Sequence, residues 1–148
     1  MKEYLTNNRL ETESIGRKIG SILNKGDCIL LTGDLGAGKT TLTKGIGKGL
    51  NIIKDINSPT FTIMKIYQGR VPLYHFDFYR LHNDSEDFDL ADYIEGDGVA
   101  VIEWPDNARS LLPDEYLLAE LTYLSDQSRK IRLSAKGQRY LKIMESIK

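Results

Sequence analysis

Gly33-Asp34-Leu35-Gly36-Ala37-Gly38-Lys39-Thr40 satisfies the pattern G-x-x-x-x-G-K-[ST] in full. Average residue frequencies put a chance match in a chain of this length at about one in two hundred. The chemistry offered is anion binding. Glycines let backbone N–H groups curl around a phosphate with no Cβ in the way. A helix beginning at the end of the motif would add unpaired N–H donors and the positive end of its dipole. Lys39 is expected to reach the outer phosphates as a point charge, and the Thr40 hydroxyl to bind Mg²⁺. Thr41 is positioned to contact an inner phosphate. Asp34 through Thr41 are therefore read as a nucleotide-binding segment.

A magnesium nucleotide on such a loop needs a carboxylate from the end of a neighbouring strand. Two strand-like runs end on an acid: Val99-Ala100-Val101-Ile102 on Glu103, and Leu73-Tyr74-His75-Phe76 on Asp77. The first is uniformly apolar, as a central strand would be. Glu103 is accordingly assigned to the metal together with Thr40. Asp77 is assigned to polarising the attacking water or holding a metal-bound water. With Lys39, these two acids make up the expected catalytic set. Ser58-Pro59-Thr60 follows the motif helix, where a switch segment would sense a terminal phosphate through the Ser58 and Thr60 hydroxyls; a proline turn with capping hydroxyls fits equally. His75 reads as a satisfied, half-buried histidine and His82 as an exposed one. Trp104 reads as a packing residue that could also stack on a ligand. Glu86, Asp87 and Asp89 read as a solvated acidic loop.

Asn24-Lys25-Gly26-Asp27 spells N-K-x-D, the string with which GTPases read guanine. Its place in the chain rules that use out. Guanine-reading segments follow their own strand, and the crossover to the next parallel strand takes about 10–12 residues or more. Here Asp27 directly opens the strand that enters the phosphate motif. ATP is favoured over GTP.

The surrounding elements must hold these residues in place. Ile15, Ile19, Ile22 and Leu23 form the apolar stripe of a helix, with Asn8 and Glu11 spaced as a capping box and Gly26 past its end. Asp27–Thr32 is a continuous apolar run suited to a strand buried on both faces. The next helix spans Lys39 to Leu50, and its Gly45, Gly47 and Gly49 make it dependent on packing. Phe61–Tyr67 and Val71–Phe76 flank Gln68-Gly69-Arg70 as a hairpin, and Tyr116–Leu124 and Lys130–Leu133 flank Ser125-Asp126-Gln127-Ser128 as another. Asn83–Asp89 reads as a loop or short helix. Gly137–Ile147 reads as a closing helix with Tyr140, Leu141, Met144 and Ile147 on one side. Hairpins require antiparallel neighbours, so the sheet is expected to be mixed.

The chain has 148 residues, 20 Lys+Arg against 21 Asp+Glu, a net charge of −1 and 41% apolar residues. That length and composition fit one folded domain over 1–148. The charge balance gives no footprint for non-specific nucleic-acid binding. One cysteine, Cys28, excludes an internal disulfide or cysteine metal cluster and reads as a core residue. No apolar stretch reaches the ~18–20 residues of a membrane span, and Met1-Lys2-Glu3-Tyr4 does not open like a signal peptide, so a cytoplasmic location is expected.

Four blocks in order, Gly33–Thr41, Ser58-Pro59-Thr60-Phe61, His75-Phe76-Asp77-Phe78-Tyr79-Arg80 and Ile102-Glu103-Trp104-Pro105, resemble the TsaE (YjeE) family. The similarity spans nearly the whole chain. The family usually has leucine where Phe78 stands and often glutamate where Asp106 stands, both conservative departures. The resemblance implies an α/β P-loop NTPase fold with a mixed central sheet. It also implies a bacterial, cytoplasmic ATPase using ATP and Mg²⁺. Such a protein is required for N6-threonylcarbamoyladenosine at position 37 of tRNAs reading ANN codons. Proteins of the family work with TsaB and TsaD, and TsaD transfers a threonylcarbamoyl group made by TsaC. On that picture tRNA is the substrate of the complex, and the ATP cycle supports turnover of the TsaB–TsaD pair. The family's metal-site acid falls on Glu103 and its acid of the His-Phe-Asp block on Asp77. Its adenine contacts, from the N-terminal segment and a late strand, fall near Asn8 and Arg129.

Two rival classes share the phosphate loop. A small-molecule kinase needs an arginine-rich lid, and the arginines beyond the loop, Arg70, Arg80, Arg109, Arg129, Arg132 and Arg139, form no such insert. A nucleotide-sensing module would bind without hydrolysis. No arginine finger or evident base is fixed by the sequence, so slow intrinsic hydrolysis is expected.

Overall fold

A computed structural model describes residues 1–57, 63–79 and 88–147. Seven strands form one sheet in the order β1-β7-β6-β2-β5-β4-β3. They are β1 (Lys2–Thr6), β2 (Cys28–Thr32), β3 (Met64–Tyr67), β4 (Leu73–Asp77), β5 (Val99–Glu103), β6 (Tyr116–Tyr123) and β7 (Arg129–Lys136). Strands β4, β5, β2 and β6 run parallel, while β3, β7 and β1 join through antiparallel pairs. Both expected hairpins are present, as β3–β4 and β6–β7. The apolar run of β5 lies directly beside β2, with Leu31 opposite Glu103. Its five residues are all buried, which explains their uniform apolarity up to the terminal acid.

Helices α1 (Arg9–Ile22), α2 (Lys39–Gly49) and α4 (Gln138–Ser146) cover one face. Helix α3 (Phe88–Ile94) and 3-10 turns over Pro105–Leu111 cover part of the other. The glycines of α2 have a steric reason. A Cβ on Gly45 would stand 2.0 Å from the Glu13 carbonyl oxygen, and one on Gly20 of α1 would stand 2.1 Å from that of Ile46. The two helices touch backbone to backbone, and the contact compensates for poor helix propensity. Helix α4 buries Tyr140, Ile143, Met144 and Ile147, a set at i, i+3, i+4 and i+7. Leu141, expected on that side, is exposed instead. Strand β1 has no clear sequence signal: five residues alternating toward and away from the core are too short to stand out.

The N-K-x-D string is a turn. Asp27 Oδ2 accepts from the Asn24 amide (2.7 Å) and from Arg139 Nη2 (2.8 Å), which ties the end of α1 to β2 and α4. Cys28 is buried, and burial pushes its thiol pKa up. Among the described residues, no helix is long and apolar enough to cross a membrane.

Candidate nucleotide site

Strands β2, β5 and β4 are parallel, so their carboxyl ends open on the same edge of the sheet, where ligands of open α/β folds bind. The phosphate motif leaves β2 at this edge. Gly36 and Gly38 have φ of +83° and +104°, a left-handed backbone that favours glycine. Gly33 is needed for close approach: a Cβ there would stand 2.6 Å from the Leu121 carbonyl oxygen. Gly38 precedes α2 and supplies no side-chain cap, so the first amides of that helix remain available to an anion. Asp34 and Leu35 are exposed on the loop, Ala37 is buried beneath it, and the Ala37 amide donates to the Asp34 carbonyl at 3.0 Å.

The loop, α1, the two strand-end acids and the β6–β7 turn enclose a cleft of about 460 Å³. Lys39, Thr40, Thr41, Asp77 and Glu103, all predicted from sequence, line it together. Register explains the meeting of the acids. Asp77 and Glu103 are direct partners in the parallel β4–β5 pair. Glu103 is buried, and its Oε2 accepts from His75 Nε2 at 2.7 Å. Asp77 is partly buried; its Oδ1 accepts from the Tyr79 amide at 2.9 Å. Burial raises the Asp77 carboxyl pKa; the Tyr79 bond opposes this, Glu103 reinforces it, and His75 and Lys39 oppose it.

Lys39 is buried in the loop. Its ammonium donates to the Gly33 carbonyl and stands 4.0 Å from the centroid of the Trp104 ring. Desolvation lowers its pKa, while Glu103, Asp77 and Asp34 pull it back up. Trp104 packs on Tyr79 with ring centroids 4.9 Å apart, so the tryptophan read as a packing residue also forms a wall of the cleft.

Of the expected adenine contacts, Arg129 lines the cleft and Asn8 is not among the lining residues. Asn8 Oδ1 accepts from the Glu11 amide at 2.9 Å and so caps α1; Glu11 Oε1 reaches the Asn7 amide at 3.0 Å rather than that of Asn8. From the same helix, Arg9 and Thr12 line the cleft, and no sequence signal marked them. Arg129 also lines it, donating to the carbonyls of Gly36 (3.1 Å), Ser128 (2.9 Å) and Ser125 (2.5 Å) while its guanidinium lies over Tyr123. It braces the loop from the far side. Asp126 and Gln127 of the β6–β7 turn complete that wall. His75 is fully buried rather than half-buried. Ser58, Thr60, Arg80, His82, Glu86 and Asp87 lie outside the described residues.

The donors fit a magnesium nucleotide. Thr40 and Glu103 offer a hydroxyl and a carboxylate, hard oxygens of the kind Mg²⁺ takes alongside phosphates and water. Among the described residues Glu103 Oε2 is bonded to His75 and Oε1 has no hydrogen-bond partner, and the residue lines the cleft.

Fold and cleft together define a protein of the P-loop NTPase class. A crystal structure of Bacillus subtilis YdiB superposes with a TM-score of 0.84 at 37% identity, covering 99% of this chain and 93% of that one. The profile of the family described as "Threonylcarbamoyl adenosine biosynthesis protein TsaE" matches residues 6–131. Two proteins named "tRNA threonylcarbamoyladenosine biosynthesis protein TsaE" align closely. That of Bacillus subtilis is 42% identical over 98% of this chain and 92% of its own length. That of a Nostoc species is 43% identical over 83% of this chain and 79% of its own. The chain belongs to the TsaE family.

Proposed function

We propose that this protein is an ATPase of tRNA threonylcarbamoyladenosine biosynthesis, binding MgATP in the cleft and supporting turnover of a TsaB–TsaD transferase. Its relatives in Bacillus subtilis and Nostoc are named as proteins of that pathway, which supports this part of the reading. One observation carries the nucleotide reading: Lys39, Thr40, Asp77 and Glu103 come from three different elements and line a single cleft.

Roles follow from position. The loop amides and the start of α2 take the phosphates, and the Lys39 ammonium turns from the Gly33 carbonyl and Trp104 to the outer phosphate oxygens. Thr40 and Glu103 hold the cation, which when bound neutralises charge on the β- and γ-phosphates. Asp77, beside Glu103 and with a raised pKa, orients water at the outer end of the cleft. An arginine finger is worth ~10³–10⁵ in rate. Arg129 already donates to three carbonyls of the loop and turn, which holds it away from that role and is in keeping with slow hydrolysis by the chain alone.

Phosphate release from ATP, measured with and without TsaB–TsaD, tests the reading. Slow release that the pair accelerates, with the protein retained on the pair, supports it. Release in step with a phosphorylated small molecule would make the protein a kinase, and binding without release in either condition would make it a sensor.

A further inference from the structure

His75 is the one buried histidine among the described residues, and its surroundings do not explain it as packing. It lies in β4 two residues before Asp77, on the same side of the sheet as Glu103. A carboxylate only accepts hydrogen bonds, so the 2.7 Å contact places the ring hydrogen on Nε2 and directs it at Glu103 Oε2. The other ring nitrogen, Nδ1, is buried with no partner. An apolar side chain would fill this position without that cost. The imidazole is retained for the bond its Nε2 makes.

That bond is the only hydrogen bond to the Glu103 side chain among the described residues. Lys39 reaches the Gly33 carbonyl and the Trp104 ring instead. Glutamate has three rotatable side-chain bonds, and only an anchor at one oxygen fixes the direction of the other. Groups that hydrogen-bond a ligating carboxylate in this way set its orientation, and losing them typically costs ~10–100-fold in metal affinity.

We propose that His75 is a positioning residue: it holds Oε2 of Glu103 so that Oε1 faces the cleft and takes the nucleotide-bound cation or its water. The proposal rests on reading the cleft as a magnesium-nucleotide site.

Calorimetry of ATP binding, with magnesium and with EDTA, tests it on the wild type, His75→Leu, His75→Gln and Glu103→Gln. Magnesium is expected to strengthen wild-type binding, and His75→Leu to lose ~10–100-fold of that gain with affinity in EDTA unchanged. His75→Gln, whose amide nitrogen can stand in for Nε2, should recover most of it. In the Glu103→Gln background, His75→Leu should cost nothing more. Equal losses with and without magnesium, or a glutamine variant no better than leucine, overturn the proposal. A wild type without any magnesium gain overturns the site reading and the proposal with it. Should His75→Leu fail to fold, nitrogen-15 NMR of the wild type decides: a His75 ring carrying a hydrogen on Nε2, with a resonance that moves when magnesium joins the ATP complex, is expected. A hydrogen on Nδ1 alone, or a resonance indifferent to magnesium, contradicts it.

Discussion

The ammonium of Lys39 stands 4.0 Å from the centre of the Trp104 ring while donating to the Gly33 carbonyl. A desolvated contact of this kind is worth ~1–2 kcal/mol. A triphosphate competes for the same charge and should draw the ammonium off the ring. Trp104 is the only tryptophan in the chain, so its emission reports the exchange. ATP should change the emission of the wild type. Lys39→Ala should change the emission of the free protein and abolish the response to ATP. An emission unmoved by saturating ATP would show that ring and ligand do not share the lysine.

Asp77 makes stability depend on pH. Burial raises its carboxyl pKa in the folded state. Protonated, the group costs nothing; stability is lost as pH rises from the ordinary aspartate value near 4 to the raised one, and the loss stays constant above it. Asp77→Asn keeps an oxygen for the Tyr79 amide and removes the charge. The variant should melt at a higher temperature than the wild type near pH 7.5, with a gap that closes below about pH 4. Thermal unfolding at the two pH values checks this, and a gap that widens in acid contradicts it.

The α1–α2 contact leaves no room for a methyl group. Gly20→Ala would gain ~1 kcal/mol of helix propensity, but its Cβ would meet the Ile46 carbonyl oxygen at 2.1 Å. Overpacking costs ~1–3 kcal/mol and should win. Urea denaturation should show a net loss. A gain would mean that the helices separate easily.

Asn24 and Asp27 belong to a structural turn, so they should not discriminate bases. Asn24→Ala should leave the ratio of ATP to GTP affinity unchanged. Asp27→Ala, which removes the acceptor of two Arg139 bonds at 2.8 and 3.2 Å and of one amide bond, should cost ~1.5–3 kcal/mol in stability with the same ratio. A changed base preference in competition binding would return the N-K-x-D string to the site.

What could be read in the sequence was what chain order enforces. The phosphate motif sits between an apolar strand and a helix by necessity, and the uniform apolarity of Val99–Ile102 marked a central strand, which put Glu103 beside β2. Asp77 followed because β4 is the next parallel neighbour and the register sets the two acids opposite each other. Arg9 and Thr12 escaped notice because they reach the cleft only through the way α1 packs on α2, a contact encoded by glycines that look like defects in a helix. The bond between His75 and Glu103 joins residues 28 positions apart, and nothing in either local sequence announces it.

Nucleotide binding depends on the grip of the loop around Lys39 on a triphosphate. Calorimetry of wild type and Lys39→Ala with MgATP tests it most directly. The wild type should bind one ATP, and the variant should lose that binding while its circular dichroism and melting stay close to wild type. Equal affinity in the two proteins would mean that Lys39 does not hold the triphosphate.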